Sequence, residues 1–205
     1  KAFLAGEEKN AAHIFGAHER TVNGVKGVLF NVWAPKALSV SVVGEFNKYD
    51  GRVHLMERIE DTGVFELFIP GLAAGCGYMY EIKRQGKGTT RKLDPVSRQI
   101  SSVPITASVV SDENMPDAYA WNDGLWMIKR KKEAGKKKPV TVYEVSLTDW
   151  LKEKSADELV DFVKQEGYTH VCFLPVAEYL NEEMNGYSTL GYFTVTHRIG
   201  GSDAF

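Results

Sequence analysis

Apolar and polar residues alternate in four short runs of the first half of the chain. The runs are residues 28–32, 40–43, 65–69 and 78–82, and they are rich in β-branched and aromatic side chains. Clusters of Gly, Asn, Asp and Pro, such as NKYDG and PGLAAGCG, separate them. Short strands bounded by turn residues at such intervals predict a small β-sandwich.

The run at residues 65–69 also predicts which side chains face the core. Phe65, Leu67 and Ile69 are expected on one face and Glu66 in water, although Phe68 interrupts the strict alternation. A slip of one residue would turn the apolar set outward, so the pairing register is expected to be firm.

After Pro139 the pattern changes to two continuous apolar runs with a helical segment between them. VTVYEVSL and HVCFLPV are typical of buried strands, and SADELVDFVKQEG predicts a helix. Ser155 and Glu158 have the spacing of a capping box, and Gly167 suits the left-handed turn at the helix end. Strand, helix and strand in this order predict a right-handed βαβ unit with parallel strands, as in a doubly wound sheet or a barrel. An eight-stranded barrel takes about 250 residues, so the second unit reads as unfinished.

Residues 111–138 follow neither pattern and predict a connection between two domains. Residues 129–138 hold seven basic residues and one acid, Glu133. Such a run sometimes binds nucleic acid, but a solvated connection or helix end is the favoured interpretation in a chain of net charge −2. Trp121 and Trp126 are expected to tie this joint to a domain surface.

Composition narrows the function classes. The 205 residues include no apolar run of the roughly 18 to 20 residues that cross a bilayer, and neither a membrane nor a nucleic-acid partner is expected. Cys76 and Cys172 have no CxxC or Cys/His context, so two buried thiols in a cytoplasmic protein are predicted. Lys1 in place of an initiator methionine suggests a piece of a longer chain.

Two carboxylates come into question as a catalytic pair. Glu144 and Glu178 lie at or after the carboxyl ends of the predicted parallel strands, where such folds gather function. A retaining glycosidase needs two carboxyls about 5 to 5.5 Å apart. A buried partner for Glu144 and a loop position for Glu178 are the commoner interpretations. The five histidines show no ligand spacing, and no phosphate-binding glycine pattern occurs.

Ten segments of the chain, in order, resemble bacterial glycogen branching enzymes of the α-amylase superfamily. They include FGAH, VWAP, VVGEFN, YEVSL, GYTHVCFLPVAEY and GYSTLGYFTVTHRIGGSDAF, and the resemblance runs from about Phe3 to Phe205. It implies a mainly β chain: an immunoglobulin-like β-sandwich, similar to the family 48 carbohydrate-binding modules, followed by the first β/α units of an incomplete (β/α)₈ barrel. The implied domains are an N-terminal segment 1–18, the sandwich 19–112, a linker 113–139 and the truncated barrel 140–205.

The resemblance also implies a function for the parent protein. Its members split an α-1,4 bond through a covalent glycosyl-enzyme and pass the chain to a 6-hydroxyl. Their nucleophile and acid/base come from later barrel strands, so this chain alone is expected to be inactive. Tyr187 is implied as an aromatic platform for a glucose ring, and Tyr49 as a second glucan contact in the sandwich.

Several positions depart from the family pattern. Asn185 and Ser188 replace a tryptophan and a glutamine near Tyr187. Ser146 replaces a histidine, Thr148 and Asp149 replace a glycine and a serine, and Glu81 stands where relatives have a lysine. The implied partner is an α-glucan such as glycogen, starch or maltooligosaccharides, and the resemblance implies no metal or organic cofactor. Two alternatives stay open: a self-standing glucan-binding module, and a truncated scaffold or regulatory paralogue that associates through its unfinished parallel edge.

Overall fold

The first half of the chain folds into two facing antiparallel sheets. The computed structural model describes residues 2–101, 105–112, 121–202 and 205. The first sheet contains β1 (Gly16–Val22), β2 (Val25–Trp33), β4 (Glu57–Ile59) and β5 (Val64–Pro70). Their order in the sheet is β1-β2-β5-β4. The second sheet contains β3 (Ser39–Val43), β6 (Gly77–Arg84), β7 (Lys87–Lys92), β8 (Ile100–Ser101) and β9 (Ala107–Val109). Their order is β3-β6-β9-β8, and β7 also pairs with β6.

The alternating runs supply the core between the two sheets, as predicted. In β5, Phe65 and Ile69 are buried and Leu67 packs against the same cluster. Phe30 of β2 meets Tyr78 of β6 edge to face, with ring centroids 5.0 Å apart. Such aromatic pairs contribute about 0.5–1.5 kcal/mol beyond the area that they bury.

A carboxylate lies inside this apolar core. Asp94 is 1% exposed. Its Oδ2 accepts hydrogen bonds from the hydroxyls of Tyr78 (2.6 Å) and Tyr80 (3.2 Å), and its Oδ1 accepts one from the Val96 amide (2.9 Å). Burial raises the pKa of Asp94, and these hydrogen bonds offset only part of the rise. The same burial, and next the Asp94 charge, raise the pKa of both tyrosines.

The residues before the sandwich are attached to it. Phe3 meets Phe15 and Trp33 edge to face, with ring centroids 4.6 and 5.4 Å apart. Strand β1 begins at Gly16, inside the segment 1–18 that the sequence assigns to the N-terminal region.

The predicted βαβ unit is present in the second half. Strands β10 (Val142–Val145) and β11 (His170–Phe173) pair in parallel, with Val142 opposite His170. Helix α3 (Ala156–Gln165) connects them. Its capping box is formed as predicted: the Ser155 Oγ accepts from the Glu158 amide (3.2 Å), and Glu158 accepts from the Ser155 amide (2.7 Å). Gly167 has φ of +77°, the predicted left-handed turn.

The prediction that both parallel strands are buried is wrong. Within β10 and β11, Val145 is the one buried residue. Helix α3 packs against the unit through Leu159 and Val163, but no further layer of described residues covers the remaining surface. Cys172 of β11 is accordingly exposed and Cys76 half-buried, so the prediction of two buried thiols is also wrong; both are free.

Two further helices were not fully anticipated. Helix α1 (Gly124–Glu133) lies in the predicted linker, and a short α2 (Leu147–Trp150) follows β10. Trp126 is 56% exposed and its ring lies 5.3 Å from the Arg130 guanidinium of the same helix, so the expectation that it packs on a domain surface is wrong. Trp121 is 77% exposed. Residues 113–120 of the predicted linker lie outside the described residues.

The stretch after β11 is a hairpin rather than a simple loop. Strands β12 (Ala177–Tyr179) and β13 (Thr189–Val195) pair antiparallel, and residues 197–199 then form one 3₁₀ turn. The hairpin touches the sandwich, because the hydroxyl of Thr194 donates to the carbonyl of Ser97 at 2.7 Å. A Cβ added at Gly191 would lie 2.6 Å from Cδ1 of Ile100. The two halves of the chain therefore meet at a close seam.

Candidate functional site

A cleft of about 160 Å³ opens at the carboxyl ends of the two parallel strands. Three segments form it: the turn and helix after β10, the turn after β11, and the β12–β13 hairpin. Its walls are formed by Ser146, Leu147, Thr148, Asp149, Lys152, Leu174, Pro175, Val176, Tyr179 and Asn185. This edge is where barrel and doubly wound folds place their ligands.

The first wall carries a pair of opposite charges. Lys152 Nζ donates to Asp149 Oδ1 at 2.8 Å. The hydrogen bond from Lys152 is the main cause that lowers the pKa of Asp149, and a hydrogen bond with Ser146 is the second. The Asp149 carboxylate is therefore ionised at neutral pH. Ser146 is the N-cap of α2, and its Oγ accepts from the Asp149 amide at 3.2 Å. The serine that replaces the family's histidine thus has a structural use at the start of this helix.

The opposite wall is fixed by Glu178, a carboxylate that is 3% exposed. Its Oε1 accepts from the Tyr179 amide (3.0 Å), the Thr196 hydroxyl (3.2 Å) and Nη1 of Arg198 (2.7 Å). Its Oε2 accepts from the His197 amide (3.0 Å) and lies 2.8 Å from Nδ1 of His197. Burial acts to raise the pKa of Glu178, but the hydrogen bonds from His197 and Tyr179 outweigh it, and the pKa is lowered. Glu178 is therefore an ionised, fully engaged anchor.

Tyr187 stands beside the cleft on the hairpin loop. Its ring is 64% exposed, and its amide donates to the Met184 carbonyl at 2.9 Å. Asn185 and Gly186, just before it, both have positive φ, +48° and +85°. Asn185 lines the cleft, whereas Tyr187, two residues later, does not. The structure therefore places Tyr187 at the border of the cleft, with most of its surface exposed.

Tyr49 lies in the sandwich, on the turn after β3, and the structure does not bring it together with Tyr187 in one site. It is half-buried with φ of +57°. The Arg91 guanidinium lies 5.6 Å from the ring centroid and donates to the Tyr49 carbonyl at 2.9 Å. Arg91 also donates to Glu81 Oε2 at 3.1 Å. The glutamate that replaces the family's lysine thus holds the arginine beside the Tyr49 ring.

The structure does not support Glu144 and Glu178 as a catalytic pair. Glu144 is exposed in β10, opposite Cys172 in the parallel register. The expectation that Glu144 has a buried partner is therefore wrong. The expectation that Glu178 lies in a loop is also wrong, because Glu178 lies within β12. The lowered pKa of Glu178 is the reverse of what a general acid needs.

Sequence reasoning missed several residues of this region. Lys152, Tyr179 and Arg198 were not singled out. Lys152 pairs with Asp149, three residues earlier, whereas Tyr179 and Arg198 are brought together by the fold. The sequence offers one signal for Arg198: the segment HRI, residues 197–199, comes just after the apolar run of the last strand.

A larger cleft, about 220 Å³, is lined by residues at the start of β1 and just before it, together with Tyr78, Arg98 and their neighbours. It contains neither predicted tyrosine. Among residues 2–101, 105–112, 121–202 and 205, no three His, Cys, Asp or Glu side chains are grouped so that they would hold a metal ion. The helices in this part of the chain are all too short or too polar to cross a membrane.

Comparison with known proteins agrees with the two-part architecture. Residues 14–97 match the family described as carbohydrate-binding module 48 (isoamylase N-terminal domain). The 1,4-alpha-glucan branching enzyme GlgB of Methylococcus capsulatus is 41% identical over 99% of this chain and 28% of its own length. That of Thiobacillus denitrificans is 44% identical over 98% of this chain and 28% of its own length. The chain thus spans a little over a quarter of these relatives.

Solved structures share the fold at low sequence identity. The catalytic module of the glycogen-degrading pneumococcal virulence factor SpuA aligns with a TM-score of 0.58 and 23% identity, over 90% of this chain and 32% of that module. A putative alpha amylase from Salmonella typhimurium aligns with a TM-score of 0.52 and 22% identity, over 86% of this chain and 27% of its own. The predicted fold class, a sandwich followed by the first β/α units of a barrel, is confirmed. The chain is thus similar, over nearly its whole length, to a stretch that makes up a little over a quarter of the 1,4-alpha-glucan branching enzymes, and residues 14–97 match the carbohydrate-binding module 48 family.

Proposed function

We propose that this chain is the N-terminal part of a glycogen branching enzyme. The whole protein would split α-1,4-glucan and transfer the released chain to a 6-hydroxyl. Support comes from the branching-enzyme relatives, whose alignments cover 98–99% of the chain at 41–44% identity. The proposed division keeps the segment 1–18, the sandwich 19–112, the linker 113–139 and the barrel portion 140–205. A cytoplasmic location remains a prediction.

The cleft is the proposed contact for an α-glucan. A sugar presents C–H faces that pack on aromatic rings and hydroxyls that bond at the rim. The observation that carries this proposal is the exposed Tyr187 ring beside a cleft whose wall holds the charged groups of Asp149 and Lys152. Tyr187 supplies the packing surface and the charged pair supplies hydrogen bonds. Tyr49, already partnered by Arg91, is the proposed second and weaker contact.

Affinity electrophoresis in gels containing glycogen tests this proposal. We expect glycogen to retard the 205-residue chain, Tyr187→Ala to abolish most of the retardation and Tyr49→Ala to reduce it less. Tyr192→Ala is the matched control, because Tyr192 is likewise an exposed tyrosine that lies within strand β13 and not on the loop beside Asn185. Equal retardation of Tyr187→Ala and the unchanged chain would count against the assignment of Tyr187.

The chemistry of branching is assigned to the parent protein. In the family resemblance the reacting acids come from later barrel strands, so we expect the 205-residue polypeptide to form no α-1,6 linkages from amylose. Linkage analysis by methylation checks this, and detection of new branch points above the protein-free control would contradict it.

Self-association through the parallel strands is a second proposal. Among the described residues β10 and β11 pair only with each other, and Val142, Val171 and Phe173 leave apolar surface exposed on them. Unpaired strand edges invite pairing with another chain. Sedimentation velocity over a range of concentrations separates this from a monomeric glucan-binding module, because only association makes the sedimentation coefficient rise with concentration.

A further inference from the structure

We propose that Arg198, anchored by Glu178, is a positioning residue that holds Tyr179 and, through it, the loop that presents Tyr187. The inference rests on the proposed function, since it assigns the loop a role in α-glucan binding. It extends that function by naming residues that do not themselves meet the sugar.

The anchor is the first step. Arg198 Nη1 lies 2.7 Å from Glu178 Oε1, and the Arg198 side chain is mostly buried. Glu178 in turn accepts from the amides of Tyr179 and His197, on two different segments of the chain. A carboxylate held by several donors fixes its partner's direction as well as its charge. The guanidinium of Arg198 therefore has little freedom to move.

The second step runs from Arg198 to Tyr179. The Arg198 guanidinium carbon lies 4.1 Å from the centroid of the Tyr179 ring, well within the range of a cation–π contact, about 6 Å. Tyr179 is buried and forms part of the cleft wall. Arg198 thus sets the position of a wall of the cleft without lining it.

The third step runs from Tyr179 to the loop. A Cβ added at Gly186 would lie 3.5 Å from Cδ1 of Tyr179 and 2.9 Å from the carbonyl oxygen of Pro175. The Gly186 backbone next to Tyr187 therefore faces the Tyr179 ring and closely approaches the turn after β11. The Leu180 amide, next to Tyr179, also donates to the carbonyl of Ser188 at 3.0 Å. A shift of Tyr179 would therefore be passed to the residue that follows Tyr187.

Two substitutions separate positioning from simple stability. Arg198→Gln removes both the charge and the guanidinium, whereas Arg198→Lys keeps a cation for Glu178 but removes the planar group over Tyr179. We expect Arg198→Lys to recover most of the unfolding temperature lost in Arg198→Gln. We also expect both variants to bind maltoheptaose about five- to tenfold more weakly than the unchanged chain in isothermal titration calorimetry. Recovery of affinity together with stability in Arg198→Lys would overturn the proposal.

Hydrogen exchange of the loop provides a readout that needs no sugar. The Leu180 and Tyr187 amides donate to the carbonyls of Ser188 and Met184, and we expect their exchange to accelerate in both Arg198 variants. Arg58→Lys is the matched control, since that guanidinium lies 5.9 Å from the Phe65 ring in the sandwich. Unchanged loop exchange in folded Arg198→Lys would overturn the proposal.

The two readouts keep this inference distinct from the proposed function. If the unchanged chain binds no glucan, the proposed function fails, while loop exchange still decides whether Arg198 holds the loop. Should neither Arg198 variant fold, Tyr179→Leu removes the ring that lies against the Arg198 guanidinium. Faster loop exchange in Tyr179→Leu would support the proposed positioning, and unchanged exchange would refute it.

Discussion

Replacing Tyr78 with phenylalanine removes a single hydroxyl from the buried centre of the sandwich and leaves the ring in place. That hydroxyl donates to Asp94 at 2.6 Å, and both residues are 1% exposed. Hydrogen bonds to charged groups contribute about 1.5–3 kcal/mol, and neutral ones about 1 kcal/mol. We therefore expect Tyr78→Phe to lower the free energy of unfolding by about 2 to 3 kcal/mol at pH 7, where Asp94 is most nearly ionised.

The penalty is expected to depend on pH. Because the folded-state pKa of Asp94 is raised above 3.8, its carboxyl contributes stability that is complete below that value and is lost as pH rises through the folded-state pKa. The Tyr78 hydroxyl limits this loss, since it stabilises the carboxylate. Without it the folded-state pKa rises further, so the destabilisation is smaller at pH 4, about 1 kcal/mol, than at pH 7.

Urea unfolding followed by circular dichroism at both pH values measures this difference. With a slope of roughly 2 kcal/mol per molar urea, the pH 7 midpoint is expected to fall by about 1 M. Tyr80→Phe is the comparison, because its hydroxyl lies farther from Asp94, at 3.2 Å, and a smaller change is expected. Equal penalties at pH 4 and pH 7 would refute the assignment of charge to this site.

Two further substitutions test local features of the fold. Ser155→Ala removes the N-cap of α3 and should lower stability by about 1 kcal/mol, measured as a urea midpoint shift; no change would contradict the capping role. Gly27→Ala places a Cβ against the carbonyl oxygen of Ile69, so we expect a large loss of stability or failure to fold, whereas Gly88→Ala, with open space around it, should remain folded with little change in its thermal midpoint.

The parts of the fold that the sequence predicted are those with local signals. The strand at residues 65–69 follows from its alternation, and the ends of α3 follow from Ser155, Glu158 and Gly167. Strand β7 was missed, because its sequence KGTTRK has no apolar face and it forms through backbone pairing to β6. The exposure of β10 and β11 was missed because an apolar run does not indicate what covers it.

The site, too, has residues that the sequence predicted and residues that it did not. Tyr187 was chosen by resemblance, and its ring is exposed beside the cleft. Arg198 was missed because its two contacts, Glu178 and Tyr179, lie about twenty positions earlier and are joined to it by the β12–β13 hairpin. Asp94 was missed for a related reason. A lone aspartate in KLDPVS reads as a turn residue, and only the folded sandwich closes two tyrosines over it.

The seam between Thr194 and Ser97 constrains how such a protein can be engineered or can evolve. Gly191 leaves space that Ile100 occupies, and the Thr194 hydroxyl reaches a backbone carbonyl of the sandwich. A foreign sandwich grafted onto this barrel portion would have to reproduce both the shape near Ile100 and the direction of that carbonyl. The two parts are fitted to each other, and recombination between relatives should be tolerated better when Ser97, Ile100, Gly191 and Thr194 come from one parent.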